Sequence, residues 1–259
     1  MTVRHAYAIA AVCLTGLLLA AGCSPATDGQ ARTGKLVVGC DTNFMPFEFE
    51  RDGEYVGFDI DLWTALAQEM GVEFELQPMD FNGLIPALQT GGIDVALAGM
   101  TIKADREKVV DFAYPYYEAG LLLMVRADNA SIHSLDDLHD KTVATKLGTT
   151  SADFARAAEP GDLKLFPNID GAYLELQTGG ADAVIFDSPA ILYYIKTKGE
   201  DAVKTVGPLY QGQSYGIAFP QGSPLREPTT IALLTFMEDG RYDDLYEKWF
   251  GTRGTTPAE

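Results

Sequence analysis

From residue 35 onward, short apolar runs alternate with stretches that repeat apolar side chains every three or four positions. The runs at 35–40, 72–77, 94–98, 142–146 and 182–186 are bounded by turn-forming residues and predict buried strands. The segment 60–70 predicts a helix, because Leu62, Leu66 and Met70 recur at i, i+4 and i+8; the Asp59/Asp61 pair supplies N-cap candidates. Alternation of this kind predicts an α/β fold with mainly parallel sheets.

The pattern before residue 35 is different. Arg4 precedes a run of about sixteen mostly apolar residues, Ala6 to Ala21, short of the ~20 that a membrane-spanning helix needs. Residues 1–22 are therefore expected to be an export signal. The run ends in Leu19-Ala20-Ala21-Gly22-Cys23, which resembles the bacterial lipobox, where the cysteine is lipidated and becomes the new N-terminus. Ala20 stands where that motif more often has Leu, and an ordinary secretory signal cleaved near Ala26 is the alternative. Residues 23–34 are small, polar and aperiodic, as a flexible tether would be. The expectation is an extracytoplasmic protein anchored to the membrane through Cys23.

Composition narrows the function classes. With 19 Lys+Arg against 37 Asp+Glu the net charge is −18, which argues against nucleic acid as a partner. A chain of 259 residues that is 47% hydrophobic and 22% charged can bury one large core or two small ones. The cysteines (Cys13, Cys23, Cys40) and histidines (His5, His133, His139) form no cluster with metal-ligand spacing, so neither a metal nor a cofactor is expected. Removal of the leader takes Cys13 with it. Cys40 is then the expected free thiol of the mature domain, with no internal disulfide.

A repeat supplies the architecture. Leu88-Gln89-Thr90-Gly91-Gly92-Ile93-Asp94-Val95-Ala96 returns as Leu176-Gln177-Thr178-Gly179-Gly180-Ala181-Asp182-Ala183-Val184, six of nine residues being identical. In both copies a helix is expected to end at the Gly pair, where left-handed geometry is cheap, and a strand to follow. Lys35-Leu36-Val37-Val38 and Lys141-Thr142-Val143-Ala144 form a weaker echo. Two copies of one α/β unit predict two similar lobes. Ligands of open α/β sheets sit at the carboxyl ends of strands. Those ends are Asp41 and Lys146 for the first strand of each unit, and Ala98-Gly99-Met100-Thr101 and Phe186-Asp187-Ser188 for the repeated one. A cleft is expected where they converge.

The residue types there suit a zwitterion. Arg106, after a turn leading into a short helix, can grip a carboxylate with two parallel hydrogen bonds. Thr150 precedes a helical stretch at 151–158, whose free N–H groups favour an anion. Asp187 can pair with an ammonium, although a place before Ser188-Pro189 also suits a helix N-cap. Phe44 and Phe81, read as loop aromatics, can enclose an aliphatic stem.

Lys35 to Gly251 resembles the periplasmic polar amino-acid binding proteins of bacterial ABC importers, the glutamine binders in particular. The resemblance rests on Tyr55-Val56-Gly57-Phe58-Asp59-Ile60-Asp61-Leu62-Trp63, Pro78-Met79-Asp80-Phe81, Ile85-Pro86-Ala87-Leu88-Gln89-Thr90, Phe166-Pro167-Asn168-Ile169-Asp170 and Lys248-Trp249-Phe250-Gly251. It implies the type II periplasmic-binding fold: a large lobe of residues 35–115 and 216–251, a small lobe of 121–210, and hinges at 116–120 and 211–215. It further implies that the ligand carboxylate meets Arg106 and the N–H groups of Thr101 and Thr150. The ammonium would meet Asp187, the Gly99 carbonyl and the Thr101 hydroxyl, with Ala98 and Phe186 also lining the pocket. Asp41 and Lys146 would read the side-chain amide between Phe44 and Phe81, since an amide offers both donors and an acceptor. A ligand with a charged side chain would leave a charge unpaired beside one of them. Two positions depart from the glutamine binders: Phe186 replaces a histidine and Thr150 a glycine. A non-catalytic, monomeric protein that captures L-glutamine for an ABC permease is the resulting expectation. Another polar or basic amino-acid ligand is the first alternative, and a dehydratase on the same fold the second.

Other motifs lead elsewhere or nowhere. Gly212-Gln213-Ser214-Tyr215-Gly216 matches a nucleophile elbow, but a strand-like segment follows and the last histidine, His139, lies upstream. Asp59 and Asp61 lack the further ligands of a calcium loop, and Thr64 stands where its glycine belongs. Asp136, Asp137 and Asp140, near His133 and His139, read as a solvated face.

Overall fold

In the computed structural model, which describes residues 34–199 and 201–252, the alternation resolves into thirteen strands and eight α-helices among the described residues. The expected leader, Cys13, Cys23 and all of the tether but Gly34 lie outside them. In chain order the elements begin with β1 (Leu36–Asp41), β2 (Asn43–Phe44), β3 (Glu48–Arg51), β4 (Glu54–Val56), α1 (Phe58–Met70), β5 (Phe74–Met79) and α2 (Phe81–Gln89). Then come β6 (Val95–Leu97), α3 (Ala104–Glu107), β7 (Val110–Phe112), β8 (Tyr117–Arg126), β9 (Thr142–Lys146), α4 (Thr150–Ala157) and β10 (Asp162–Phe166). The remainder is α5 (Ile169–Gln177), β11 (Ala183–Asp187), α6 (Ser188–Tyr194), β12 (Val203–Tyr215), β13 (Ala218–Pro220), α7 (Arg226–Asp239) and α8 (Arg241–Phe250).

Two five-stranded sheets, ordered β5-β1-β6-β13-β7 and β10-β9-β11-β8-β12, give the two-lobed type II periplasmic-binding fold. Each sheet is mixed, with one reversed strand, β13 in the first and β8 in the second. These are the strands that enter a lobe directly from the other one. A chain arriving across the cleft enters at the carboxyl ends of the parallel strands, so it must run against them. The crossings are stitched together: Tyr117 pairs with Tyr215, Ile102 N–H donates to the Ser214 carbonyl, and Gly216 N–H donates to the Met100 carbonyl.

The repeat has a hydrogen-bonding basis. Asp94 donates its N–H to the Val37 carbonyl and accepts the Val37 N–H on its carboxylate (2.8 Å); Asp182 does the same with Thr142 (2.9 Å). Each aspartate caps the first strand of its unit, which is why strands expected to begin at 94 and 182 begin one residue later. Gly91 and Gly179 take φ of 70° and 80°, as helix ends at a Gly pair require. The strand expected from residue 72 begins at Phe74, because Val72 N–H still bonds the Ala67 carbonyl behind the left-handed cap Gly71.

Helix α1 buries Leu62, Trp63 and Leu66 completely, and each such side chain contributes roughly 1.5–3 kcal/mol. Its N-cap is Gly57, not Asp59 or Asp61, which lie inside the first turn. At φ 142° and hard against the Phe47 carbonyl, position 57 admits no Cβ. The Phe58 and Asp59 N–H groups bond the Pro46 and Phe47 carbonyls, so both aspartate side chains are free for other partners. Asp61 takes Lys248 and Trp249 from α8, and Asp59 turns inward.

Candidate functional site

The carboxyl ends of the two sheets meet around a narrow pocket. Its lining contains every one of the eleven pocket positions picked out in the sequence, together with Thr149. Around the rim the lobes touch through Thr42 Oγ1 to Asn168 Oδ1 (3.1 Å), Asn43 Nδ2 to Asp170 Oδ2 (2.5 Å) and Lys103 Nζ to Asp153 Oδ2 (2.8 Å).

The four charged residues come two from each lobe. Asp41 ends β1 and Lys146 ends the equivalent strand β9; both are essentially inaccessible and form a direct ion pair across the cleft. Arg106, on α3, and Asp187, the last residue of β11, are also buried, but among the described residues no ion pair joins them. The Arg106 guanidinium donates to the Thr101 carbonyl (2.8 Å) and, more weakly, to the Gly148 carbonyl (3.4 Å). The Asp187 carboxylate accepts from Ser151 Oγ (2.8 Å) and Tyr215 OH (2.6 Å). Burial pulls the Arg106 pKa down to about 10, against the opposing pull of Asp187. Burial likewise raises that of Asp187, despite its two hydroxyl donors and the nearby Arg106 and Lys146. Each charge is thus desolvated and incompletely compensated by protein groups, which marks the pair as candidates for a functional site.

Aromatic rings form the walls. Arg106 and Lys146 lie 5.3 and 5.9 Å from the Phe81 ring centre, within cation–π range. Phe44 stacks on Phe47 at 4.9 Å and meets Phe186 edge-on at 5.8 Å. Both rings expected on loops sit instead at element ends, Phe44 closing β2 and Phe81 opening α2. Gly99, with φ 50°, passes beneath the Phe44 ring where any Cβ would collide with it. That lets the backbone of Ala98 and Gly99 line the pocket. The expected helix at 151–158 starts at Thr150, with Thr149 as N-cap; its hydroxyl accepts from Ala152 N–H at 3.1 Å. Asp187 does occupy the N-cap position of α6, but its side chain makes no capping bond, both oxygens being engaged elsewhere.

Sequence reasoning missed four supports: Thr149, Ser151, Gln213 and Tyr215. The Gln213 Oε1 accepts from the hydroxyls of Thr101 (2.8 Å) and Thr150 (3.1 Å), one from each lobe. Gln213 and Tyr215 are two apart on β12 and both buried, so strand alternation within the expected hinge could have flagged them as a pair. Ser214, between them, bonds Glu118 on the exposed side, with a further strand rather than a helix following.

Residues 36–252 match the family model of bacterial extracellular solute-binding proteins, family 3. The chain belongs to that family. The arginine-binding extracellular protein ArtP of Bacillus subtilis is 33% identical over 247 residues, covering 93% of this chain and 96% of its own. The ABC transporter glutamine-binding protein GlnH of the same species is 32% identical over 268 residues, covering 95% and 97%. Among solved structures, an ancestral arginine-binding protein is similar in complexes with arginine and with glutamine. The identities are 46% and 47%, both with a TM-score of 0.80, over 84% of this chain and 99% and 98% of those chains. An ancestral amino acid-binding protein described as a precursor of cyclohexadienyl dehydratase is 43% identical, with a TM-score of 0.78, over 84% of this chain and 96% of its own. This solute-binding protein therefore sits among amino-acid binders of ABC importers, whose members work outside the cytoplasm.

Proposed function

We propose that this solute-binding protein captures L-glutamine and delivers it to an ABC permease. The observation that carries the reading is the unequal state of the pocket's four charges. Arg106 and Asp187 are buried and unpaired with each other, so a ligand carboxylate and ammonium can complete both. The N–H groups at the start of α4 and the Gly99 carbonyl complete the cradle, and Phe44 and Phe81 exclude water from the aliphatic stem. Asp41 and Lys146 already neutralise one another. A neutral amide can bond both without breaking the pair, whereas a guanidinium entering beside Asp41 would displace Lys146 and strand a buried ammonium.

L-Arginine is the second reading, favoured by one observation: the ancestral protein similar to this chain is known with either amino acid bound. A dehydratase would need a general acid or base free to act on the substrate. Asp41 and Lys146, the formal candidates, hold each other instead. Capture works by population shift. Contacts from both lobes exist together only when the cleft is shut, so the ligand favours the shut form, which then docks on the permease. In this reading the lobes are residues 35–115 with 216–251 and 121–210, moving about 116–120 and 211–215. The mature protein is a monomer tethered through a lipid on Cys23.

Calorimetry with glutamine, glutamate, arginine, histidine and cystine tests the ligand. Glutamine is expected to bind at least tenfold tighter than the others, about 1.4 kcal/mol; arginine binding tighter than glutamine would overturn the assignment in favour of the second reading.

A further inference from the structure

Beneath the floor of the pocket lies a second pair of acidic groups. Glu48, the first residue of β3, and Asp59, in the first turn of α1, are both fully buried. Their carboxyls lie against each other. Asp59 Oδ2 accepts two hydrogen bonds, from Gly99 N–H (3.0 Å) and from Tyr116 OH (2.7 Å). The other three oxygens, Asp59 Oδ1 and both of Glu48, have no donor among the described residues.

Two adjoining carboxylates without a cation, away from water, repel strongly, and a proton held between them removes the repulsion. We propose that Glu48 and Asp59 hold one proton between them, and that the pair fixes the Ala98–Gly99 peptide of the pocket and ties it to the lobe crossing through Tyr116. The second half rests on the binding site proposed above; the first half does not. The surroundings decide where the single charge resides. Asp59 has two donors and lies at a helix start, where the backbone dipole favours an anion. Glu48 has neither, and faces Asp41 and Cys40 on β1 as well as Asp59, all of which oppose its ionisation. Burial raises both groups, Asp59 to about 6 and Glu48 well above the usual carboxylate range. Tyr116, itself driven up by burial and by Asp59, stays protonated and donates. Its carbonyl accepts from Tyr242 OH on α8, so the chain of bonds runs from the pocket backbone to the C-terminal helix.

The proton is read without any ligand. In the intact protein at about pH 7, the side-chain carboxyl carbon of Glu48 should show the NMR shift of a neutral acid; an ionised Glu48 overturns the proposal. The raised pKa also fixes a sign. Glu48 keeps its proton when folded and loses it when unfolded, so folding weakens as pH rises above the ordinary glutamate value of 4.5, up to about tenfold in equilibrium constant per unit. Glu48→Gln carries the shared hydrogen permanently and should lose that slope; parallel pH–stability curves for the two proteins would contradict it. Asp59→Asn replaces the charged acceptor of the Gly99 N–H and the Tyr116 hydroxyl by a neutral one and should weaken glutamine binding about tenfold. Binding unchanged within twofold in a folded Asp59→Asn protein overturns the positioning role.

Discussion

At one end of the pocket Asp41 and Lys146 meet directly across the cleft; at the other, Arg106 and Asp187 are each tied to neutral partners and leave a gap between opposite charges. Each lobe contributes one charge of each sign, so composition does not distinguish the ends. Local partners do. Tyr215 and Ser151 hold the Asp187 carboxylate, and the Thr101 carbonyl holds the Arg106 guanidinium, whereas the Thr42 N–H occupies only one oxygen of Asp41 (2.8 Å) and leaves the other to Lys146. A charge held by neutral groups stays available to a ligand, whereas a charge already paired offers hydrogen bonds and little net attraction. The first end suits a zwitterionic head group and the second an uncharged polar tail.

The largest effect should come from breaking the unpaired end. Arg106→Ala is expected to weaken ligand binding about a thousandfold, ~4 kcal/mol, by leaving a buried ligand carboxylate uncompensated. Calorimetry checks the loss and circular dichroism checks that the fold is retained. Next comes the paired end, where Asp41→Asn strands the Lys146 ammonium and should cost about 3 kcal/mol of stability in denaturant unfolding. Combining it with Lys146→Met should recover most of that loss, with a coupling energy of at least ~1.5 kcal/mol in a double-mutant cycle.

A pH titration sharpens the comparison further. Asp187 must be ionised to hold an ammonium, and burial has raised its pKa, so affinity should fall on acidification sooner than an ordinary carboxylate would allow. The limit is about tenfold per pH unit, ~1.4 kcal/mol. For stability the sign is opposite: the raised group favours the folded state at low pH, and that contribution disappears as pH climbs through its folded value. Asp187→Asn should abolish the affinity dependence and remove this group's share of the stability slope, leaving that of Glu48. Smallest is Tyr215→Phe, which removes one of two donors to Asp187. It should weaken binding by about 1 kcal/mol and move the acidic limb of the affinity profile upward in pH.

The strand ends were legible because the repeat marks them. Once Asp94 and Asp182 are seen as equivalent, Asp41, Lys146, Gly99 and Asp187 fall at matching places, and the cavity gathers them. What escaped was less periodic. Strands β2, β4 and β7 are two or three residues long, too short for alternation to register. Asp59 read as a helix cap because a carboxylate before an amphipathic run commonly is one, but the Pro46 and Phe47 carbonyls had already met those N–H groups. Gln213 carries no charge and sits in a crossing strand with alternate exposure, so its joining of Thr101 to Thr150 emerges only when the lobes are brought together.

The central claim concerns the head group, so the sharpest measurement varies the head alone. Calorimetric titration should compare L-glutamine with glutaramate, which lacks the ammonium, and with γ-aminobutyramide, which lacks the carboxylate. Loss of about a hundredfold or more in affinity for each analogue, ~2.7 kcal/mol, is the predicted result. If either analogue binds within a few-fold of glutamine, the gap between Arg106 and Asp187 does not hold a zwitterion.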